Sequence, residues 1–281
     1  MASLHGLVKN RAVLAPLLTE LPKPKYHLHI NHAKHSEATL YLRGFMSDQI
    51  GPSNFSMWTE SHHRLVASDR HRWGDTALGY TWPAGKPTLN YIIPLTVLCW
   101  VANQMKLGFP SPTFLLTSIA LDISLHVLKL SYYYRIASEN SSRFSDRLAE
   151  ELLRLRERYS HLRVVSHSLG CHHLLAALSK IPSHSRPCVV HLLGAAVREQ
   201  EFAPVFASGV AQRASYLYYT PRDRTLAVVF RWMFAGGGPA AGEVGCQGKY
   251  RRLFNVDVTR RLGNVVHTGY AKQFWSLAEP L

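Results

Sequence analysis

Five residues, Ser166-His167-Ser168-Leu169-Gly170, stand between the run Leu162-Arg163-Val164-Val165 and the stretch Cys171-His-His-Leu-Leu-Ala-Ala-Leu178. A serine on a tight turn between a strand and a helix holds its hydroxyl clear of the sheet, where it can attack an acyl carbon. Small residues on either side, here Ser166 and Gly170, let strand and helix approach without clashing. Ser166 stands where the strict pattern has glycine. The same serine could instead cap the following helix through its side-chain oxygen. The chemistry therefore has to be argued from partners elsewhere in the chain.

A serine nucleophile needs a base to take its proton and an acid to orient that base. After a strand–turn–helix serine the expected chain order is acid, then histidine. The downstream histidines are His172, His173, His184, His191 and His267. His172 and His173 fall on the helix after the turn and point away from the serine. His184 lies in a Ser/Pro loop too early in the chain, and His191 sits inside an apolar strand as a core residue. His267, in Asn264-Val-Val-His-Thr-Gly-Tyr270 after the last strand, is the base by position.

The downstream aspartates are Asp223 and Asp257. Asp223 follows a strand directly, in Thr220-Pro-Arg-Asp-Arg-Thr-Leu226, and its neighbours Arg222 and Arg224 favour the ionised form an orienting acid needs. Asp257 reads as a strand-end residue, so Asp223 is preferred. Negative charge developing on the substrate oxygen needs two backbone N–H donors. Leu169, at the N-terminus of the helix, supplies one. The second is expected from the loop after an early strand, Leu40-Tyr-Leu-Arg-Gly-Phe-Met-Ser-Asp48, where Gly44 permits close approach and Phe45 or Met46 donates. Phe45 is taken as the donor.

These groups need a frame. Short runs at Tyr26–Ile30, Ala38–Arg43, Ala77–Trp82, Leu162–Val165, Cys188–Leu193, Ser215–Tyr219 and Leu253–Val258 read as strands, several of them continuously apolar. Such runs suit strands covered on both faces of a mostly parallel sheet. Between them, Phe144 to Tyr159 places Leu148, Leu152, Leu155 and Tyr159 on one helical face. The alternation predicts one doubly wound α/β domain over residues 1–281 with helices on both sheet faces.

With these pieces the chain resembles the α/β-hydrolase superfamily. The matching pieces are Arg43-Gly44-Phe45, the Ser-His-Ser-Leu-Gly turn, Thr220-Pro-Arg-Asp223 and Val266-His267-Thr-Gly-Tyr270. It looks closer to a branch with Gly-Phe-x-Ser-Asp, Gly-Tyr-x-Trp-Pro (here Gly79 to Pro83) and His-Ser-Leu-Gly. Some members of that branch carry apolar membrane-associated helices. The resemblance spans about Leu40 to Phe274, and it departs at Ser166 and at Arg43, where a histidine often precedes the glycine. It implies a serine hydrolase of the esterase, lipase or thioesterase kind acting on an ester or thioester of a small-molecule acyl substrate, with Ser168, Asp223 and His267 as the triad. The apolar stretch over residues 88–134 and the positive charge suggest a lipid-like acyl substrate at or near a membrane surface. The alternative is a hydrolase-fold protein without turnover, serving as a membrane-associated binding or scaffold module.

Composition adds modifiers. Lys plus Arg number 32 against 18 Asp plus Glu, a formal net charge of +14. Such a surface favours anionic partners, including an anionic membrane surface or an acidic substrate. No zinc-finger spacing, RNA-binding aromatic signature or Lys/Arg run is present, so no nucleic-acid partner is expected. Cys99, Cys171, Cys188 and Cys246 form no CxxC pair, and reduced thiols in an intracellular protein are the expectation. No cofactor is expected. His27, His29, His32 and His35 match no metal-site spacing. Residues 1–24 read as an N-terminal extension without a secretory core. Ala235-Gly-Gly-Gly-Pro-Ala-Ala-Gly242 reads as a flexible loop near the base.

Residues 88–134 break the rhythm with apolar runs interrupted by Pro94, Lys106, Pro110 and Pro112. Each run is shorter than the roughly 20 residues of a membrane helix. The segment reads as buried helices, or as a lid-like or membrane-facing insertion.

Overall fold

The structure, a computed structural model, describes residues 16–23, 37–45, 47, 52–85, 132–231, 238–263 and 267–278. The expected strand Tyr26–Ile30, the N-terminal histidine cluster, Met46, Cys99 and nearly all of the 88–134 insertion lie outside them. Seven strands make one sheet: β1 (Leu17–Glu20), β2 (Glu37–Leu42), β3 (Thr76–Thr81), β4 (His161–His167), β5 (Val189–Leu193), β6 (Ala214–Tyr219) and β7 (Leu253–Asp257). Their order is β1-β3-β2-β4-β5-β6-β7. Every pairing from β3 through β7 is parallel, whereas β1 runs antiparallel to β3, with Leu17 opposite Thr81.

β2 to β7 fall within a residue or two of their expected positions. β1 does not: Leu17–Glu20 was expected within the N-terminal extension, and it is an edge strand instead. Its Leu-Leu-Thr-Glu carries no apolar alternation, and its ends are exposed. Hydrogen bonds to the open edge of β3, rather than a pattern of its own, make it a strand.

Successive side chains of a strand point to opposite faces, and here both faces are covered. Leu40 and Leu42 join Leu148, Leu152, Leu155, Leu174 and Leu178 beneath the helices Ser145–Arg158 and Leu169–Leu178. Tyr41 turns the other way, toward Trp58, Trp73 and Phe274 under the helices Ser56–Ser68 and Gly269–Leu277. The architecture is a doubly wound, mostly parallel α/β sheet with helices on both faces. The helix Ser145–Arg158 has Asp146 in its first turn and Arg156 and Arg158 in its last, each complementing the helix dipole. Among the described residues no helix is long and apolar enough to cross a membrane. Cys171, Cys188 and Cys246 are buried free thiols.

Candidate active site

In a parallel sheet all C-terminal strand ends meet on one edge, so loops far apart in sequence become neighbours there. Leu42 pairs with Ser166, His167 with Leu193, and Tyr219 with Asp257. Ser168 follows β4 at φ 55°, ψ −126°, a conformation that costs a non-glycine residue about 1–3 kcal/mol. The surroundings hold it there. Its N–H donates to the Leu193 carbonyl (3.0 Å), and its own carbonyl accepts from Cys171 (3.0 Å) and Ala196 (3.2 Å). Its side chain makes no capping hydrogen bond to the helix Leu169–Leu178, so a helix-capping role does not explain the serine. Ser166, in place of glycine, is fully buried with its hydroxyl toward the Cys171 thiol and no other hydrogen-bond partner among the described residues.

Two glycines clamp the β2 loop to this turn. A Cβ on Gly44 would stand 2.7 Å from the Ser168 Cβ and 2.8 Å from the His167 carbonyl oxygen. One on Gly170 would stand 2.6 Å from the Arg43 carbonyl oxygen. That carbonyl also accepts from the Trp82 indole N–H at 2.9 Å, and the Ser47 hydroxyl donates to the Gly44 carbonyl. The β2 loop that carries Phe45 is thereby held against the turn that carries Ser168 and Leu169. Among the described residues neither the Phe45 nor the Leu169 N–H donates to a backbone carbonyl.

Asp223 is buried just beyond β6, and Leu226 N–H donates to its Oδ1 at 3.2 Å. Its Oδ2 accepts from His267 Nδ1–H at 2.6 Å. The flanking Arg222 and Arg224 are exposed, so backbone and imidazole contacts orient this carboxylate. With Nδ1 carrying the proton, Nε2 of His267 holds the lone pair. That atom is buried and has no hydrogen-bond partner. Asp257 is an exposed residue whose Oδ1 accepts from Thr259 N–H at 2.8 Å, a local turn just before the short helix Thr259–Leu262.

The other downstream histidines are engaged elsewhere. His172 lies between Ser141 Oγ (2.6 Å, at Nδ1) and Glu201 Oε1 (2.8 Å, at Nε2). His173 Nδ1–H donates to the Ser141 carbonyl (2.7 Å), His191 Nδ1 meets the Tyr218 hydroxyl (2.9 Å), and His184 is exposed in the turn Ser183–Ser185.

Two contributors escape a reading of the sequence. His167 donates its Nε2–H to the His267 carbonyl at 2.9 Å, with the two rings 4.7 Å apart. Burial, then the neighbouring His267 and Arg43 charges, push the His167 pKa well below its usual value, so it stays neutral. As the variable position of a serine motif it carried no separate signal. Gly194, just after β5, leaves room for the base: a Cβ there would lie 3.3 Å from His267 Cε1 and 2.8 Å from the Tyr270 ring.

The described end of the Gly-rich segment is not a loose loop. Ala241–Val244 is a helical turn, and a Cβ on Gly242 would collide with the Ala195 backbone N at 2.1 Å. The glycine there serves close packing behind β5. A cavity of about 530 Å³ opens at the opposite end of the strands, beside His184, Gln212, Arg251 and Arg252, and shares no residue with the site. Among the described residues no group of His, Cys, Asp and Glu is arranged to hold a metal ion.

No protein-family model matches the chain, and no curated protein does. Among solved structures, the esterase Pf2001 of Pyrococcus furiosus aligns over 86% of this chain and 78% of its own, at 11% sequence identity and a TM-score of 0.33. At that level of similarity the site's own geometry carries the argument.

Proposed function

We propose that the chain is a serine hydrolase that cleaves an ester or thioester. The reading rests above all on the 2.6 Å contact between Asp223 and His267, which leaves a buried, unpartnered Nε2 on the sheet edge that also carries a serine in a strained turn. Ser168 Oγ attacks the acyl carbon while His267 Nε2 takes its proton. Asp223 stabilises the imidazolium that forms, and the N–H groups of Phe45 and Leu169 receive the developing oxyanion. Collapse of the tetrahedral species expels the alcohol or thiol, which leaves with the proton from His267. Water then attacks the acyl-Ser168, again giving its proton to Nε2, and the carboxylic acid is released with Ser168 restored.

His267 Nε2 makes no hydrogen bond to Ser168 here, and catalytic hydrogen bonds often tighten only when substrate is bound. Hydrolysis of short p-nitrophenyl esters tests the reading, with an expected release of p-nitrophenol that Ser168→Ala abolishes. Equal turnover by wild type and Ser168→Ala would contradict it.

A further inference from the structure

Arg43 has an unusual position for a cation. It immediately precedes Gly44, the residue whose Cα approaches the Ser168 turn. The β2–β4 register pairs Leu42 with Ser166; one step further sets Arg43 beside His167, on the same face of the sheet. Its guanidinium carbon lies 5.6 Å from the Phe55 ring centroid, and Phe55 is itself packed against Gly79. Among the described residues this half-buried guanidinium makes no ion pair, and its Nη1 is buried with no hydrogen-bond partner. Burial alone lowers its pKa, with no carboxylate acting to raise it.

An arginine is always charged, and a buried donor without an acceptor costs free energy. The buried arginines meet that need: Arg163 donates to Thr39 and the Arg72 carbonyl, and Arg186 to Ile181, Val205, Ser208 and Gly209. Half-buried Arg156 leaves its Nε without a partner, but its Nη1 donates to the Tyr159 and Ser160 carbonyls. Arg43 has no such donor contact among the described residues, and its charge acts on the buried His167 ring, 4.7 Å from that of His267.

We propose that Arg43 binds an anionic group of the substrate, so that the preferred ester or thioester bears carboxylate or phosphate oxygens near its scissile bond. This rests on the hydrolase reading of Ser168. The guanidinium offers a planar fork of N–H donors matched to such oxygens, and the Phe55 face holds the fork in place. The net charge of +14 steers an acidic substrate toward the protein in the same sense.

The test compares mono-p-nitrophenyl glutarate and a phosphonate-ended p-nitrophenyl ester with the neutral p-nitrophenyl pentanoate. One anionic ester should have the higher kcat/KM by about tenfold or more, mainly through KM, and which one it is distinguishes carboxylate from phosphate recognition. Arg43→Gln should bring that ratio to about one, with Arg43→Lys in between. A wild-type ratio of one or below, or a ratio that survives Arg43→Gln, would overturn the proposal.

A binding arm needs no turnover. Glutarate or methylphosphonate should raise the melting temperature of Ser168→Ala, and of the wild type, but not of Arg43→Gln. If no ester is cleaved yet this shift appears and depends on Arg43, the hydrolase reading fails and the anion site stands. If esters are cleaved but neither anion shifts the melting temperature and no anionic ester is preferred, Arg43 has no such role.

Discussion

Among the described residues, two groupings of serine, histidine and carboxylate differ in which histidine nitrogen is left open. In the first, His267 gives Nδ1–H to Asp223 and keeps Nε2 without a partner, and Ser168 on the same sheet edge has a strained backbone. In the second, His172 is reversed: Ser141 lies on Nδ1 and Glu201 on Nε2. Ser141 is fully buried, and its hydroxyl also donates to the Ser138 carbonyl at 2.7 Å. Its proton is committed, and neither ring nitrogen of His172 is left to receive one. Hydrogen bonding to His172 holds the Glu201 carboxyl below the usual range, as expected of an ionised acceptor. The second arrangement ties the helix over residues 132–143, the helix Leu169–Leu178 and the turn Glu199–Phe202 together. The same three residue types make a strut in one place and a candidate catalyst in the other, according to which nitrogen is left open.

The sharpest contrast lies in turnover. Ser168→Ala or His267→Gln should lower kcat by about 10⁴-fold or more, and Asp223→Asn by a comparable factor. Ser141→Ala should leave ester hydrolysis in place. Steady-state kinetics with one p-nitrophenyl ester would decide, and equal losses from the two serines would erase the distinction.

Acid should reach the buried strut through stability instead. Burial pushes the pKa of His173, which is bonded to Ser141, down to about 4, and that of His62, bonded to the Tyr41 hydroxyl, also to about 4. The unfolded chain takes up these protons near pH 6.5, whereas the folded chain resists them until about pH 4. Stability is therefore full above pH 6.5 and falls as the pH drops toward 4. Each group should contribute a loss of up to about 2 kcal/mol between pH 6.5 and 5. Urea midpoints at pH 7.5, 6 and 5 measure it, and His173→Phe should flatten the slope; a midpoint that rises on acidification would contradict the assignment.

Gly170→Ala forces a Cβ to 2.6 Å from the Arg43 carbonyl, backbone that cannot swing aside. A loss of about 1–3 kcal/mol is expected, with turnover falling because the Phe45 loop is displaced. Unchanged stability and kinetics would show that the loop does not depend on this contact. The smallest effect belongs to His172→Gln, about 1–2 kcal/mol in thermal unfolding without loss of ester hydrolysis.

Much of the fold was legible because its signals are local. Continuous β-branched and apolar runs marked β2 to β7, and Leu148, Leu152 and Leu155 marked a helix by spacing alone. β1 was not legible, since its strand character comes from the edge of β3. At the site, chain order singled out Ser168, Asp223 and His267, and the fold sets Asp223 in hydrogen-bond contact with His267. The exposed Arg222 and Arg224 show the limit of reading neighbours along the chain, because the contacts to Asp223 come from Leu226 and from His267, 44 residues away. His167, Gly194 and the Ser141–His172–Glu201 strut depend on long-range packing that no spacing announces. The unpaired state of Arg43 is likewise visible only in three dimensions.

The most direct measurement is labelling of the full chain with a fluorophosphonate probe followed by peptide mapping. One adduct is expected, on Ser168, lost in Ser168→Ala and strongly slowed in His267→Gln, with Ser141→Ala labelled as the wild type is. No adduct on the folded protein, or an adduct that persists in Ser168→Ala, would contradict the assignment of Ser168 as the nucleophile.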